Sequence, residues 1–425
     1  MNSKIKVFIN KIKSSKDGRT LIANFGYLSL LQLASYFFPL ITMPYLARVI
    51  GPEGFGKIAF AGAIIVWCQT ISDWGFNYTA TRDVAKNRDD KEKVSEIFSN
   101  VLWSRLVLTL ISFIGLFLLV CFIPKFKENA LVIFVTFLLI PGHIMFPDWF
   151  FQAIERMKYI TILNLLSKTF FTIAIFIFIK DKSDYIIQPL LTSCGFVISG
   201  IVAMYYILIK WDYKLKKPSL RKIFQTIKES TDVFINNLMP TFYNAFSITL
   251  LGFVGGDVAN GLYESGTKFT DMFYRILGIF SRTFFPFLSR RIDKHTIYAK
   301  LNIGTSVIFT VILILSAPIL VKIFYTEEFV NAVDVIRITS LSLIFLAIGN
   351  VYGTNYLIIL NKEKQLRNIT FICSVIGFAM SFPLIYRYEI IGAALVVTFT
   401  RGLLGIMTMC YAKYHKFKTS TTNNL

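Results

Sequence analysis

The chain has 425 residues, 55% of them apolar and only 16% charged, with a mean hydropathy of +0.59. That balance excludes a water-soluble globular protein and points to an all-α integral membrane protein, because apolar runs of about 20 residues, the length a helix needs to cross hydrocarbon, recur along it. The 45 Lys and Arg against 25 Asp and Glu leave a net charge of +20. These bases gather in short connections between apolar runs, so they read as determinants of topology in a lipid bilayer and not as a nucleic-acid surface.

A basic leader with Lys4, Lys6, Lys11, Lys13, Lys16 and Arg19 precedes an apolar stretch too long for a signal-peptide core. It is expected to remain as a first span over 20–47, with Pro39 and Pro44 inside it. Further spans are expected at 57–80, 101–123, 129–151, 160–179 and 186–209. The basic connection Lys210 to Lys228 then separates an N-terminal lobe, 1–209, from a C-terminal lobe, 230–425, with 210–229 as a cytoplasmic linker. Six more spans are expected at 230–254, 258–286, 303–322, 332–360, 369–386 and 390–411.

Twelve spans in two six-helix lobes place both termini on one side. Thirty of the 45 bases then fall on that side and eight on the other, so the positive-inside rule makes both termini cytoplasmic and Pro52 to Gly56 external. An internal echo supports the division: Gly51, Glu53 and Gly62 recur as Gly255, Asp257 and Gly266, as in a transporter built from repeats. Pro39 and Pro44 lie in the first helix of one lobe and Pro240, among Asn236, Asn237 and Asn244, in the first helix of the other. Each removes a helical hydrogen bond, which makes the three prolines candidate bending points for alternating access or sites of a static kink.

Ionisable groups at membrane depth are costly against lipid and usually face water or protein. The span at 258–286 carries Glu264, Lys268, Asp271, Arg275 and Arg282, all on one helical stripe. Glu264 to Lys268 and Asp271 to Arg275 are acid-before-base pairs four residues apart, and Arg282 leaves the stripe net positive. The plain reading is a polar seam between helices with Arg282 reaching the headgroups. The alternative is a water-filled central cavity, to which Lys168, Arg337 and Arg401 on other spans would contribute. Such a cavity suits a polyanion and fits an exporter of cations poorly. Asp73, Glu264 and Asp271 are the carboxylates able to couple an ion by changing charge. The five cysteines and three histidines show no paired or metal-ligand spacing, and no cofactor is indicated.

The run Arg48-Val49-Ile50-Gly51-Pro52-Glu53-Gly54-Phe55-Gly56, with Phe60-Ala61, Asp73-Trp74-Gly75-Phe76 and Thr81-Arg82, resembles the Wzx-type flippases. These lipid-linked oligosaccharide translocases belong to the superfamily that also holds lipid II flippases and multidrug and toxin extruders. The resemblance covers the whole chain and implies a bacterial inner-membrane flippase, not an enzyme. Its substrate would be an undecaprenyl-pyrophosphate-linked sugar repeat unit, carried to the periplasmic leaflet for O-antigen or another surface polysaccharide. A cationic cavity, an ion gradient and, as partners, a polysaccharide polymerase and a chain-length regulator come with the resemblance. Two rival classes are a multidrug or organic-cation antiporter on the same fold and a membrane-embedded enzyme of glycan assembly. The enzyme would need a large external loop, which the span spacing does not leave.

Overall fold

The computed structural model describes residues 16–422, and no strand occurs among them. Lys4, Lys6, Lys11 and Lys13 of the basic leader and the last three residues lie outside it. Among the described residues, eight helices are long and apolar enough to cross a membrane. Twelve spans were expected; the helix over the expected span 258–286 is not among the eight, and three local features account for the other differences.

First, α1 (Lys16–Asp73) covers the first two expected spans as one bent helix, and its backbone leaves helical geometry at Gly51, with φ 63° and ψ −177°. Pro39 and Pro44 sit within its helical part, so the bend comes from the glycine, which takes positive φ without a Cβ clash. Second, α15 (Glu363–Thr422) covers the last two spans and bends at Glu389. Third, the seventh expected span is broken. There α10 (Leu220–Leu238) gives way to a 3₁₀ turn over Met239–Phe242, and α11 (Ala245–Val254) follows. Pro240 forces this break, and its carbonyl accepts from both the Asn244 N–H at 3.1 Å and Asn244 Nδ2 at 3.0 Å.

Between these elements run α2 (Phe76–Lys86), α3 (Lys91–Phe122), α4 (Pro124–Glu128), α5 (Ala130–Phe137), α6 (Leu139–Met145), α7 (Asp148–Ala153), α8 (Met157–Phe178) and α9 (Ile187–Met204). After α11 come α12 (Gly256–Arg290), α13 (His295–Phe324) and α14 (Ala332–Gly349), the last continued by a π turn over Asn350–Leu357. Helix α3 starts where the Asp90 carboxylate caps the Lys93 N–H at 2.9 Å and ends ahead of Pro124, which cannot continue it. Leu110, Ile111, Phe117 and Phe122 stand exposed along it, as lipid-facing side chains do, since hydrocarbon exacts no penalty for apolar exposure.

The chain divides into two compact units. The first holds the described residues up to Tyr45, then Cys68–Lys180 and Ile186–Phe234; the second holds Leu46–Trp67, Asp181–Tyr185 and the residues from Ile235 onward. The border therefore runs through α1 and after Phe234. The first unit is centred on Phe76, Phe98, Trp149, Phe150 and Phe151, and the second on Tyr243, Leu251, Tyr263, Val335, Ile385 and Val397.

Within the second unit the GPEGFG run has a packing role. A Cβ on Gly56 would collide with the Asp257 carbonyl, and one on Gly261 with the Pro52 carbonyl. The two contacts exchange under a two-fold operation that takes 52 to 257 and 56 to 261. Gly51 and Gly256 are likewise both at positive φ, 63° and 76°. The internal echo is thus present in the backbone, but its register pairs Gly51 with Gly256 and not with Gly255.

Candidate functional site

Helix α12 has two faces of opposite character. On one, Thr270 and Thr339 share a 2.8 Å hydroxyl hydrogen bond, the Tyr325 hydroxyl donates to the Ser265 carbonyl at 3.0 Å, and Leu277 is fully buried. This face is stitched to α13 and α14. The other face carries Glu264, Lys268, Asp271, Arg275 and Arg282, of which Lys268, Arg275 and Arg282 are exposed and the two acids partly so. A seam sealed between helices would bury these groups, so their accessibility argues for contact with water.

The pairing on this stripe differs from the sequence expectation. Glu264 and Lys268 form the expected ion pair one turn apart. Asp271 does not pair with Arg275; it faces Arg401 of α15 at 4.0 Å, and among the described residues Arg275 and Arg282 make no ion pair. Arg401 is the better partner because its side chain is nearly buried and held in place. Its Nη1 donates to Ser342 Oγ at 3.1 Å and its guanidinium lies 5.9 Å from the Tyr274 ring centre. Arg401 Nε is buried without a hydrogen-bond partner among the described residues, so the guanidinium has donor capacity to spare. Arg337 stays on its own helix, 3.6 Å from Asp334, with both side chains exposed.

The first unit holds the remaining sequence-predicted residues. Lys168 of α8 donates to Ser35 Oγ of α1 at 2.6 Å. It borders a cavity of about 170 Å³ lined by Ser35, Pro39, Thr42, Asn164 and Thr192 among others. Pro39 thus sits at a polar pocket as well as in a helix. Asp73, at the end of α1, forms an ion pair with Arg105 of α3, whose side chain is only 4% exposed. Beside it Thr109 Oγ1 donates to Ser72 Oγ at 2.9 Å. Arg105 and Ser342 are not among the site residues read from the sequence: Arg105 lies near the start of its expected span, 101–123, where an interfacial placement is as good a reading as a functional one, and nothing local marks a serine as an arginine's acceptor.

The family model described as "Polysaccharide biosynthesis protein" matches residues 21–292. A "Putative O-antigen transporter" of Escherichia coli (strain K12) is 29% identical over 406 residues, covering 93% of this chain and 98% of its own. One of Shigella dysenteriae is 25% identical, covering 90% and 97%. Among solved structures, the lipid II flippase MurJ in an inward closed conformation superposes with a TM-score of 0.68 at 15% identity, over 91% of this chain and 87% of that one. An outward-facing multidrug resistance MATE family transporter of the MOP superfamily gives 0.57 at 13% identity, over 97% and 99%. These two likenesses concern the fold.

Proposed function

Because the chain belongs to the polysaccharide biosynthesis protein family, we propose that it is a flippase moving undecaprenyl-pyrophosphate-linked oligosaccharide repeat units from the cytoplasmic to the periplasmic leaflet of the bacterial inner membrane. The observation that carries this reading is the accessible row Lys268, Arg275 and Arg282 on a helix whose opposite face is packed. Spaced by seven residues, the bases stand in one line, so a pyrophosphate can be handed from one to the next while the sugar stays in water. Arg401, which faces Asp271, adds positive charge beside that path. An organic-cation antiporter on the same fold would instead need carboxylates left free of bases, and Glu264 and Asp271 both face one.

In this reading α1 and α15 each cross the membrane twice, and 235–254 and α12 cross as well, so that twelve crossings leave both termini cytoplasmic. The bends at Gly51 and Pro240 let the helices that carry them change shape as access alternates. Asp271, with half of its side chain accessible, is the foremost ion-coupling carboxylate, and Glu264 follows. Asp73 couples less, because Arg105 already engages it. A polysaccharide polymerase and a chain-length regulator receive the flipped unit.

The test is complementation. A strain lacking this protein is expected to accumulate lipid-linked sugar on the cytoplasmic face and to be rescued by the wild type but not by Lys268→Ala/Arg275→Ala made at equal level. Full surface polysaccharide from the double variant would overturn the cationic row.

A further inference from the structure

The basic connection after α9 is held against α3 by its backbone. Ser95 Oγ accepts from the Lys214 N–H at 3.1 Å, Ser99 Oγ accepts from the Lys216 N–H at 2.8 Å, and Trp103 Nε1 donates to the Lys216 carbonyl at 3.0 Å. Helix α3 fixes the depth of these contacts. It runs unbroken to Phe122, and about 20 residues at 1.5 Å each span the hydrocarbon, so counting back from Phe122 the core ends near Trp103, a residue type that favours that boundary. The Lys216 backbone, held by Ser99 and Trp103, therefore lies at headgroup level, and Lys214, held by Ser95 about 12 Å beyond Trp103, lies at the outer margin of that layer. Lys222 at the start of α10 reaches the same outer margin, its Nζ 2.6 Å from Glu96 of α3.

The outward edge of this segment combines apolar and basic side chains. Leu220 and Phe224 are 72% and 70% exposed, one helical turn apart, and Leu215 is exposed beside them. Lys214, Lys217, Arg221 and Lys228 are exposed and make no ion pair among the described residues. Among nearby acids, Asp212 pairs with Lys91, Glu92 and Glu96 pair with the segment's own Lys216 and Lys222, and Glu229 accepts from Gln225 Nε2 at 2.9 Å. Lys214, Lys217, Arg221 and Lys228 are the bases of this edge left without a carboxylate partner among the described residues, beside exposed apolar side chains.

We propose that residues 214–228 form a docking surface for anionic phospholipid headgroups of the bilayer, with Leu220 and Phe224 laid against the headgroup layer and the four bases on phosphates. Each base held at an anionic surface contributes about fivefold to the preference, and salt weakens it. The inference requires only that α3 spans the bilayer, so it stands apart from the substrate row on α12.

The experiment uses the full chain with its five cysteines replaced and bimane placed at Phe224→Cys, reconstituted in nanodiscs of phosphatidylcholine alone or mixed with phosphatidylglycerol. Nitroxide-headgroup lipid should quench the bimane several-fold more in the anionic discs. High salt and Lys214→Gln/Lys217→Gln/Arg221→Gln should each remove the difference. Equal quenching in both lipids, quenching unmoved by the triple change, or protection of the label only by an added acidic protein would each overturn the proposal. As a label-free check, the unfolding midpoint of the unlabelled chain should rise in anionic discs for the wild type and not for the triple variant; no rise in the wild type counts against the proposal.

Discussion

Asp73–Arg105 in the first unit and the α12 stripe in the second are both acid–base arrangements on apolar helices, and they differ in access. Arg105 is 4% exposed and Asp73 21%, whereas each pair on α12 has one open member, Lys268 at 44% beside Glu264 at 22% and Asp271 at 49% beside Arg401 at 11%. A sealed pair in low dielectric is committed to its partner, because removing either group strands the other. An open pair can exchange its partner for water or an incoming anion at little cost, since exposed ion pairs contribute about 0–1 kcal/mol. The same residue types are thus closed off in one place and left accessible in the other.

The comparison breaks most directly at Arg105. Arg105→Ala leaves the Asp73 carboxylate without its base and is expected to destabilise the fold by roughly 3–5 kcal/mol. Thermal unfolding in detergent and the level reaching the membrane should both fall, while Arg105→Met/Asp73→Leu should recover most of the loss. A full-level, normally melting Arg105→Ala protein would dissolve the contrast.

Next in size are Lys268→Ala and Arg275→Ala, each predicted to melt close to wild type yet lower translocation about ten- to hundredfold, the weight of a charged hydrogen bond of about 1.5–3 kcal/mol. Flipping assayed in vesicles against the amount of inserted protein separates this from misfolding. Arg275→Lys sharpens the point. It keeps the charge and loses the fork that grips phosphate with two N–H groups, so activity should fall to between the alanine variant and wild type.

Asp271→Asn should flatten the dependence of flipping on the ion gradient, whereas Asp73→Asn should leave that dependence intact and chiefly lower thermal stability. The reverse pattern would move coupling to the first unit. The smallest effect belongs to Arg337→Ala, because its exposed pairing with Asp334 lies on one helix and contributes at most a few tenths of a kcal/mol to stability. Its melting temperature should match the wild type.

Local spacing made some of this legible in the sequence. Glu264 and Lys268 meet because residues four apart on a helix always share a face, and the five-charge stripe follows from the same periodicity. Pro240 broke its helix as its chemistry requires, while Pro39 and Pro44 did not, the bend of α1 falling at Gly51 instead. The Gly51 echo was visible, although one residue out of register, because spacing alone cannot say which of Gly255 and Gly256 takes positive φ.

What the sequence by itself determined was the membrane character, the family and the charged face of α12, since hydropathy, a short motif and helical period are properties of neighbouring residues. Tertiary structure alone decided the partners: Arg401 with Asp271 and Ser342, Asp73 with Arg105, Gly56 against Asp257, and the backbone of Lys216 on Trp103 of α3. Each of those contacts joins residues far apart in the chain, and which distant helices touch depends on where the backbone bends and on which faces carry residues small enough to let two helices meet.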